Sequence, residues 1–429
     1  MNKSIWNEFT DKPNFEKLRS NASCDVLIIG GGMAGILTAY YLQQTGRKVI
    51  VAEAEKIGSK ITSNTTAVLS AQHDTLYSEL LKQHDFDVVK AYLDMNLDAV
   101  EKFEKLSAEI DCDFKRSASY VFSKDTDLDF EIKALKMLGY SAELVTETEL
   151  PFKIKSAVKF PNMAEFHPLK FLYGLAKKLT VFEDTRILNI KEHKANTEDC
   201  EIRFGHAVVA THFPFLDKTG WFFAKMYQMR SYVMALENVP ALSGTYNDLA
   251  SDGFYFRSYE NSLLVGQGDH RTGTKTDAIA NLKNFAENFY PEAKVKYLWA
   301  NQDCVTLDNL PYIGKYGNLE DVYTLTGFNL WGMTNSMVGA KIITDMINRN
   351  EKKNTNAFCT SRKILRPQLF KNLGVTFIDF INPKLKRCPH LGCALKYNNQ
   401  EHSWDCPCHG SRFDENGKLI DNPANQDLQ

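Results

Sequence analysis

No apolar run in this 429-residue chain is long enough to cross a bilayer. The longest, such as Val26 to Ile29 and Thr324 to Leu330, fall far short of the ~20 residues a spanning helix needs. A basic excess is missing too: the formal net charge is -2, which gives no electrostatic reason to bind nucleic acid. The opening "MNKSIWNEFTDKPNF" has a lysine but no apolar core leading to a small-residue cleavage site, which argues against a secretory signal and for the cytoplasm. Internal repeats and low-complexity tracts are absent. What is present is an ordinary globular composition, 44% hydrophobic and 24% charged, in a chain long enough for two or three domains.

Cysteine is sparse along most of the chain and crowded at its end. Cys24, Cys112, Cys200, Cys304 and Cys359 are scattered and read as small buried or incidental residues. Cys388, Cys393, Cys406 and Cys408 fall together, and in a reducing compartment such a cluster points to metal or redox chemistry.

Near the amino terminus, "CDVLIIGGGMAGILTAYYLQQTGRKVIVAEAE" combines an apolar strand, Val26 to Ile29, with Gly30, Gly32 and Gly35 in G-x-G-x-x-G spacing. A helical apolar pattern follows, Gly46 ends it, and a second strand, Val49 to Ala52, runs into Glu53. Gly30 permits a tight turn, Gly32 lets the backbone approach a pyrophosphate, and Gly35 allows close helix–sheet contact. The helix amino terminus offers N–H groups to phosphate, and Glu53 accepts from an adenosine ribose. The unit binds a dinucleotide, nicotinamide or flavin; a merely structural glycine turn is the alternative.

Further motifs choose between them. "NTTA" (Asn64, Thr65, Thr66), "AEFHPLKFLYGLA", "ATHFPF", "TLDNLPYIG" and "GFNLWGMTN" resemble the contact points of FAD-dependent oxidoreductases of the D-amino-acid oxidase and glycine oxidase superfamily, and in particular its bacterial members with a carboxy-terminal Rieske domain. The resemblance implies an α/β protein: a discontinuous, Rossmann-like FAD-binding domain (about 24–75, 155–215 and 300–350) with an interleaved α+β substrate domain (about 76–154 and 216–299). It also implies FAD contacts at Gly314, Gly327, Asn329, Trp331, Gly332 and Met333; His73, His212, His167 and Trp331, beside these motifs, are the candidate catalytic residues, with a hydrogen-bonded scaffold or surface role the alternative for each histidine and core packing for Trp331. Amine-oxidising relatives hold the substrate carboxylate with an arginine where "WANQDCVTLDNLPYIG" has Asp303. An aspartate repels a carboxylate, so a simple amino acid would need Arg230, Arg257 or Arg271 instead.

Between the motifs, apolar spacing predicts one or two helices over 76–110, a strand in "CDFKRSASYVF", a helix over 129–138, a helix opening on proline after His167, adjacent strands "GFYFRSY" and "NSLLVGQG", and a helix from about Ser336 to Ile347. The body ends near 350, and 351–387 reads as a linker.

At 388–413 the pairs Cys388-x-His390 and Cys406-x-x-His409 are separated by 15 residues. Two thiolates for one iron and two imidazoles for the other is the ligand set of a Rieske [2Fe-2S] centre. Structural zinc is the rival reading of such spacings. The resemblance further implies a Cys393–Cys408 disulfide between the ligand loops, a Ser411 hydroxyl donating to the cluster, and a Pro423-Ala424 loop covering it. Phe413 stands where high-potential members carry a tyrosine, which predicts a lower potential. Only "KNLGVTFIDFINPKLKR", with one convincing strand at 374–381, precedes Cys388, so some 40 to 50 residues of supporting sheet are expected to be missing from a small, mainly β, truncated lobe.

Together the modules predict an enzyme that takes hydride from a small amine, amino acid or related substrate onto FAD and passes electrons through a [2Fe-2S] cluster to an external carrier. A flavin oxidase with a vestigial lobe and a non-catalytic electron-transfer or redox-sensing protein are the alternatives.

Overall fold

The computed structural model describes residues 3–8, 11–216, 219–349, 355–362 and 386–428. The apolar runs noted above become the centre of an eight-stranded sheet. Ala22–Ile29 lies between Val49–Ala52 and Glu201–Val209, parallel to both, and Glu201–Val209 continues in parallel to Val322–Thr326. Such strands are covered on both faces, which is why Val49–Ala52 is buried at every position. Helices Met33–Gln44 and Gly332–Ile347 pack on one face and against each other. The first helix approaches so closely because residue 35 is glycine: a Cβ there would stand 1.9 Å from the Gly30 carbonyl oxygen.

A second sheet of nine strands carries the other half of the body. At one end Lys294–Thr306, Met226–Glu237 and Ser262–Arg271 lie side by side, antiparallel. The predicted hairpin is there as Phe254–Tyr259 and Ser262–Arg271. Two segment boundaries need correction. Ser156–Glu165 pairs with Lys115–Ser123, so the chain returns to the first sheet with helix Pro168–Ala176 and not at 155. Lys294–Thr306 pairs with Met226–Glu237 along its length, so the second sheet runs past 299 to 306.

The last helix of the body starts at Gly332, four residues before the expected Ser336, because Trp331 already serves as its N-cap. The body also extends past 350. Phe358 is buried with its ring stacked on Tyr92, and Arg362 pairs with Asp308 at 2.9 Å. The rest of the expected linker, and the strand expected at 374–381, lie outside the described residues.

The carboxy-terminal lobe is an antiparallel sheet of four short strands: Lys396–Asn398, Ser403–Asp405, Arg412–Asp414 and Leu419–Asp421. It is seated on the body. Among the described residues no helix is long and apolar enough to cross a membrane.

Candidate cofactor and substrate sites

The glycine turn opens a cleft lined by Gly30, Gly32, Met33 and Glu53, with Lys56, Lys60 and Arg186 bringing positive charge to it. At Gly30 a Cβ would meet the Ala210 carbonyl oxygen at 2.5 Å, whereas at Gly32 the nearest atom is the Thr62 hydroxyl at 3.5 Å. Backbone packing thus demands the first glycine, while the second leaves room at the helix amino terminus. Glu53 accepts from the Gly31 N–H at 2.6 Å and the Glu55 N–H at 2.9 Å. Burial pushes its carboxyl up, and these donors counter the shift while leaving lone pairs for a ribose. A cradle with open backbone at a helix terminus, a buried acceptor and cationic neighbours fits FAD.

Gly332 and Met333 line this cradle and also a second cavity of about 320 Å³. Asn64, Thr65, Thr66 and Trp331 line the second cavity. The carbonyls of that loop are held from behind. Trp6 Nε1 donates to Thr65 O at 2.7 Å, Trp299 Nε1 to Asn64 O at 2.9 Å, and Arg257 to Thr66 O and, at 2.8 Å, to Ala67 O. No sequence motif marks these three supports; each comes from an element distant in sequence.

The remaining expected residues divide. His73 is buried, with Nδ1 2.7 Å from the Tyr92 hydroxyl and Nε2 2.9 Å from Ser70 O, and burial lowers its pKa to about 3. Its ring stacks on Trp331 at 4.8 Å, so it positions the indole that lines the cavity. His212 lines the FAD cradle, its Nε2 buried without a hydrogen-bond partner and its pKa lowered to about 4 by burial. His167 is not brought to either cleft. It caps helix Pro168–Ala176, with Nδ1 accepting from Lys170 N at 3.2 Å, and packs against Trp6. Gly314, Gly327 and Asn329 also line neither cleft. Gly327 lies at φ +69° with the Thr306 methyl against it, and Asn329 accepts from Thr306 N at 2.7 Å, so these shape the chain that leads to Trp331.

None of the three arginines offered for a substrate carboxylate lines the cavity. Arg257 is used by the loop carbonyls and Glu165, Arg230 is paired with Glu401, and Arg271 donates to Pro407 O at 2.7 Å and Cys408 O at 2.9 Å. Two of them hold the carboxy-terminal lobe.

In that lobe Cys388, Cys406 and His409 are buried and His390 is half-buried. The two imidazoles meet edge to face at 4.8 Å, and the Cys388 and Cys406 thiols hydrogen-bond each other. Like ligands are therefore together, as two irons of different ligation require. His409 Nδ1 is buried with no hydrogen-bond partner, a position a metal bond would satisfy. Hydrogen bonds from Cys388, Cys393 and Cys408 draw the Cys406 thiol pKa well down. The sulfurs of Cys393 and Cys408 lie within 4.8 Å of each other and of Cys406. Ser411 hydrogen-bonds Cys388 and accepts from Ala424 N at 2.9 Å. The donor set and the open imidazole nitrogen fit a [2Fe-2S] cluster.

Residues 25–346 match the FAD dependent oxidoreductase family, and residues 384–429 match the Rieske [2Fe-2S] domain. The chain belongs to the FAD dependent oxidoreductase family. It is an oxidoreductase that carries FAD and, at its end, a Rieske [2Fe-2S] domain. A Bacillus subtilis protein named as a Rieske 2Fe-2S iron-sulfur protein, YhfW, is 30% identical over 99% of this chain and 97% of its own length. That alignment spans 494 positions, while 99% of 429 residues is about 425, so about 69 positions of that relative have no residue here. Gamma-glutamylputrescine oxidoreductase of Escherichia coli is 21% identical over 80% of this chain and 88% of its own. In fold, the flavoprotein body is similar to glycine oxidase from Geobacillus kaustophilus, with a TM-score of 0.67 at 18% identity over 80% of this chain and all of that one.

Lobe and body are joined by buried polar contacts. Gln228 donates to His409 O at 2.7 Å and Asn422 O at 3.0 Å, and Gln302 donates to Gly410 O at 2.9 Å. A Cβ at Gly410 would strike the Gln228 side chain at 2.6 Å, so this glycine permits the approach. Glu401 is the clasp: it accepts from Arg230, from Tyr232 at 3.0 Å and from Arg412 at 2.8 Å. Burial alone would raise its pKa, but the two guanidiniums hold it at about 2.

Proposed function

We propose that the chain oxidises a small organic substrate in the cavity beside Trp331 and delivers the electrons, through the Rieske lobe, to an external carrier in the cytoplasm. Bound FAD supplies a hydride acceptor, and a [2Fe-2S] cluster supplies a one-electron carrier whose neutral histidine ligands raise its potential. One observation carries the reading: Leu419, Ile420, Asp421, Asn422 and Asn425 of the lobe contribute to the wall of the FAD cradle, and Ala424 of the same stretch packs with the cluster cysteines. The lobe therefore closes over the flavoprotein site and is not a trailing appendage.

The residues between the two sites are suited to hold both. Thr211 and His212 line the cradle, and the next residue, Phe213, sets its ring 6.3 Å from both His390 and His409. Asn422 reaches back to the carbonyls of Thr211 and, at 2.8 Å, Phe213, which ties this bridge to the lobe. Half-buried His390 gives an outside carrier access to the ligand shell. In this reading Cys388 and Cys406 ligate one iron, His390 and His409 the other, and Cys393 and Cys408 form the disulfide that fastens the loops. The name of the Escherichia coli relative supports an amine among the candidate substrates.

Anaerobic reduction by substrate, followed at once by flavin absorbance and by the electron-resonance signal of the reduced cluster, tests the route. Both signals should change, the flavin first. Flavin that bleaches while the iron signal stays silent removes the intramolecular step.

A further inference from the structure

The second cavity has an unusual lining for a site that receives small metabolites. Its charged residues are Asp74, Asp248, Asp269 and Asp303, and no lysine, arginine or histidine joins them. Asp248 is neutralised by Lys124 at 3.7 Å. The other three carboxyls have no such counterion among the described residues, and Asp74 receives only the Trp331 side chain.

Their arrangement follows from strand periodicity. Asn301 and Asp303 are two apart on Lys294–Thr306, so both face the cavity, and across the register stand Ser231 and Met229. Asp269 comes from the next strand and Asp74 from beside Trp331. Asn301 adds an independent sign of a missing ligand. It is 9% exposed, its amide N–H donates to Asp303 at 2.8 Å, and its Oδ1 is buried with no hydrogen-bond partner. A buried acceptor left open asks for an N–H donor.

We infer that the cavity takes a small organic cation, an amine that carries no carboxylate, with Asp303, Asp269 and Asn301 receiving its N–H groups. The inference rests on reading this cavity as the substrate side of the flavin site. A carboxylate-bearing substrate would meet three acids and no guanidinium, because Arg230, Arg257 and Arg271 are all engaged elsewhere. A metal ion is the rival occupant of an acidic cavity. The only group of ligand atoms close enough to share an ion, among the described residues, is Cys393, Cys406 and Cys408. Among the described residues no three carboxylate oxygens of this cavity come within 4.8 Å of one another, which suits an extended cation better than a point charge. At about 320 Å³ the space accommodates a short aliphatic diamine.

The test uses the FAD-loaded full chain with 1,4-diaminobutane, glycine and glycerol as probes. Titration under anaerobic conditions reads two signals: perturbation of the flavin absorption band, which reports binding, and its bleaching, which reports oxidation. The diamine should perturb the band saturably where glycine and glycerol do not. Asp303→Asn and Asp269→Asn, checked for unchanged FAD content, should each raise its half-saturation at least tenfold. Equal or tighter saturation by glycine or glycerol, or unchanged half-saturation in both variants, overturns the inference. Perturbation without bleaching by any probe leaves the cation site standing and counts against the reading of the cavity as the place of substrate oxidation.

Discussion

The flavoprotein body and the Rieske lobe solve the same problem, burying a cofactor site, with different materials. The body's principal core is a large continuous set of Leu, Ile, Val, Phe and Ala side chains. The lobe's core is Cys388, Cys393, Leu395, Cys406, Cys408, Phe413 and Ala424, so four of its seven buried members are cysteines. A unit that small cannot remove enough apolar surface from water to stand by itself. It compensates in two ways: the cluster of a Rieske [2Fe-2S] domain ties its loops together, and its polar interior is completed by the body. Arg412 is the centre of that interior, with Asp405 at 3.0 Å, Asp421 at 3.1 Å and Glu401 at 2.8 Å, and Glu401 extends the network to Arg230 across the boundary. Part of the lobe's support is thus a surface from elsewhere in the same protein. Dependence should run one way: the lobe needs the body more than the body needs the lobe.

The hardest blow to that asymmetry is Gly35→Ala. Its Cβ would sit 1.9 Å from the Gly30 carbonyl oxygen. Because the clash is backbone against helix, the cost should exceed the ~1–3 kcal/mol usual for overpacking. Both FAD and iron should be lost, since the lobe's seat moves with the cradle; flavin and iron per chain measure this. Glu401→Ala comes next. Removing the acceptor shared by Arg230 and Arg412 leaves buried charge unpaired, at about 3–5 kcal/mol. Iron per chain should fall several-fold while FAD per chain stays at the wild-type value; retention of iron would mean that the lobe stands unaided.

Asp303→Asn sharpens the comparison from the body's side. Burial raises the Asp303 carboxyl from 3.8 to about 7. In the native state the proton is held more tightly than in the unfolded chain, so the stability tied to this group is complete below about pH 4 and lost as pH rises through about 7. The asparagine variant should therefore melt higher than wild type at pH 8, by about 1–2 kcal/mol after screening by cavity water. Its advantage should vanish toward pH 4, and a melting-temperature series across this range checks the sign. The smallest effect is Phe413→Tyr, which offers a hydroxyl near the cluster sulfurs. The cluster potential should rise with iron content unchanged, read by redox titration of the cluster signal.

Much of this protein was legible along the chain. Gly30, Gly32, Gly35 and Glu53 sit close together in sequence, and so do Cys388, His390, Cys406 and His409; chemistry that depends on local spacing can be read locally. The errors came where a side chain's partner lies far away. Arg230, Arg257 and Arg271 looked like candidates for a substrate carboxylate, yet Glu401, the Thr66 carbonyl and the Pro407 carbonyl engage them. His167 has the composition of a site residue and the position of a helix cap. Asp74 and Asp269 carried no motif at all, although the i, i+2 spacing of Asn301 and Asp303 was a signal that one strand face would be polar.

By itself, then, the sequence determined the cofactors: a phosphate-binding turn and a two-iron ligand set each need particular residue types at short, fixed separations. Tertiary structure alone decided what those cofactors are set against. It aligned three strands so that aspartates share one cavity, and it seated the short lobe on Gln228, Arg230 and Gln302. Such choices depend on strand register and on which faces meet, and no local pattern of residues encodes a contact between positions 230 and 401.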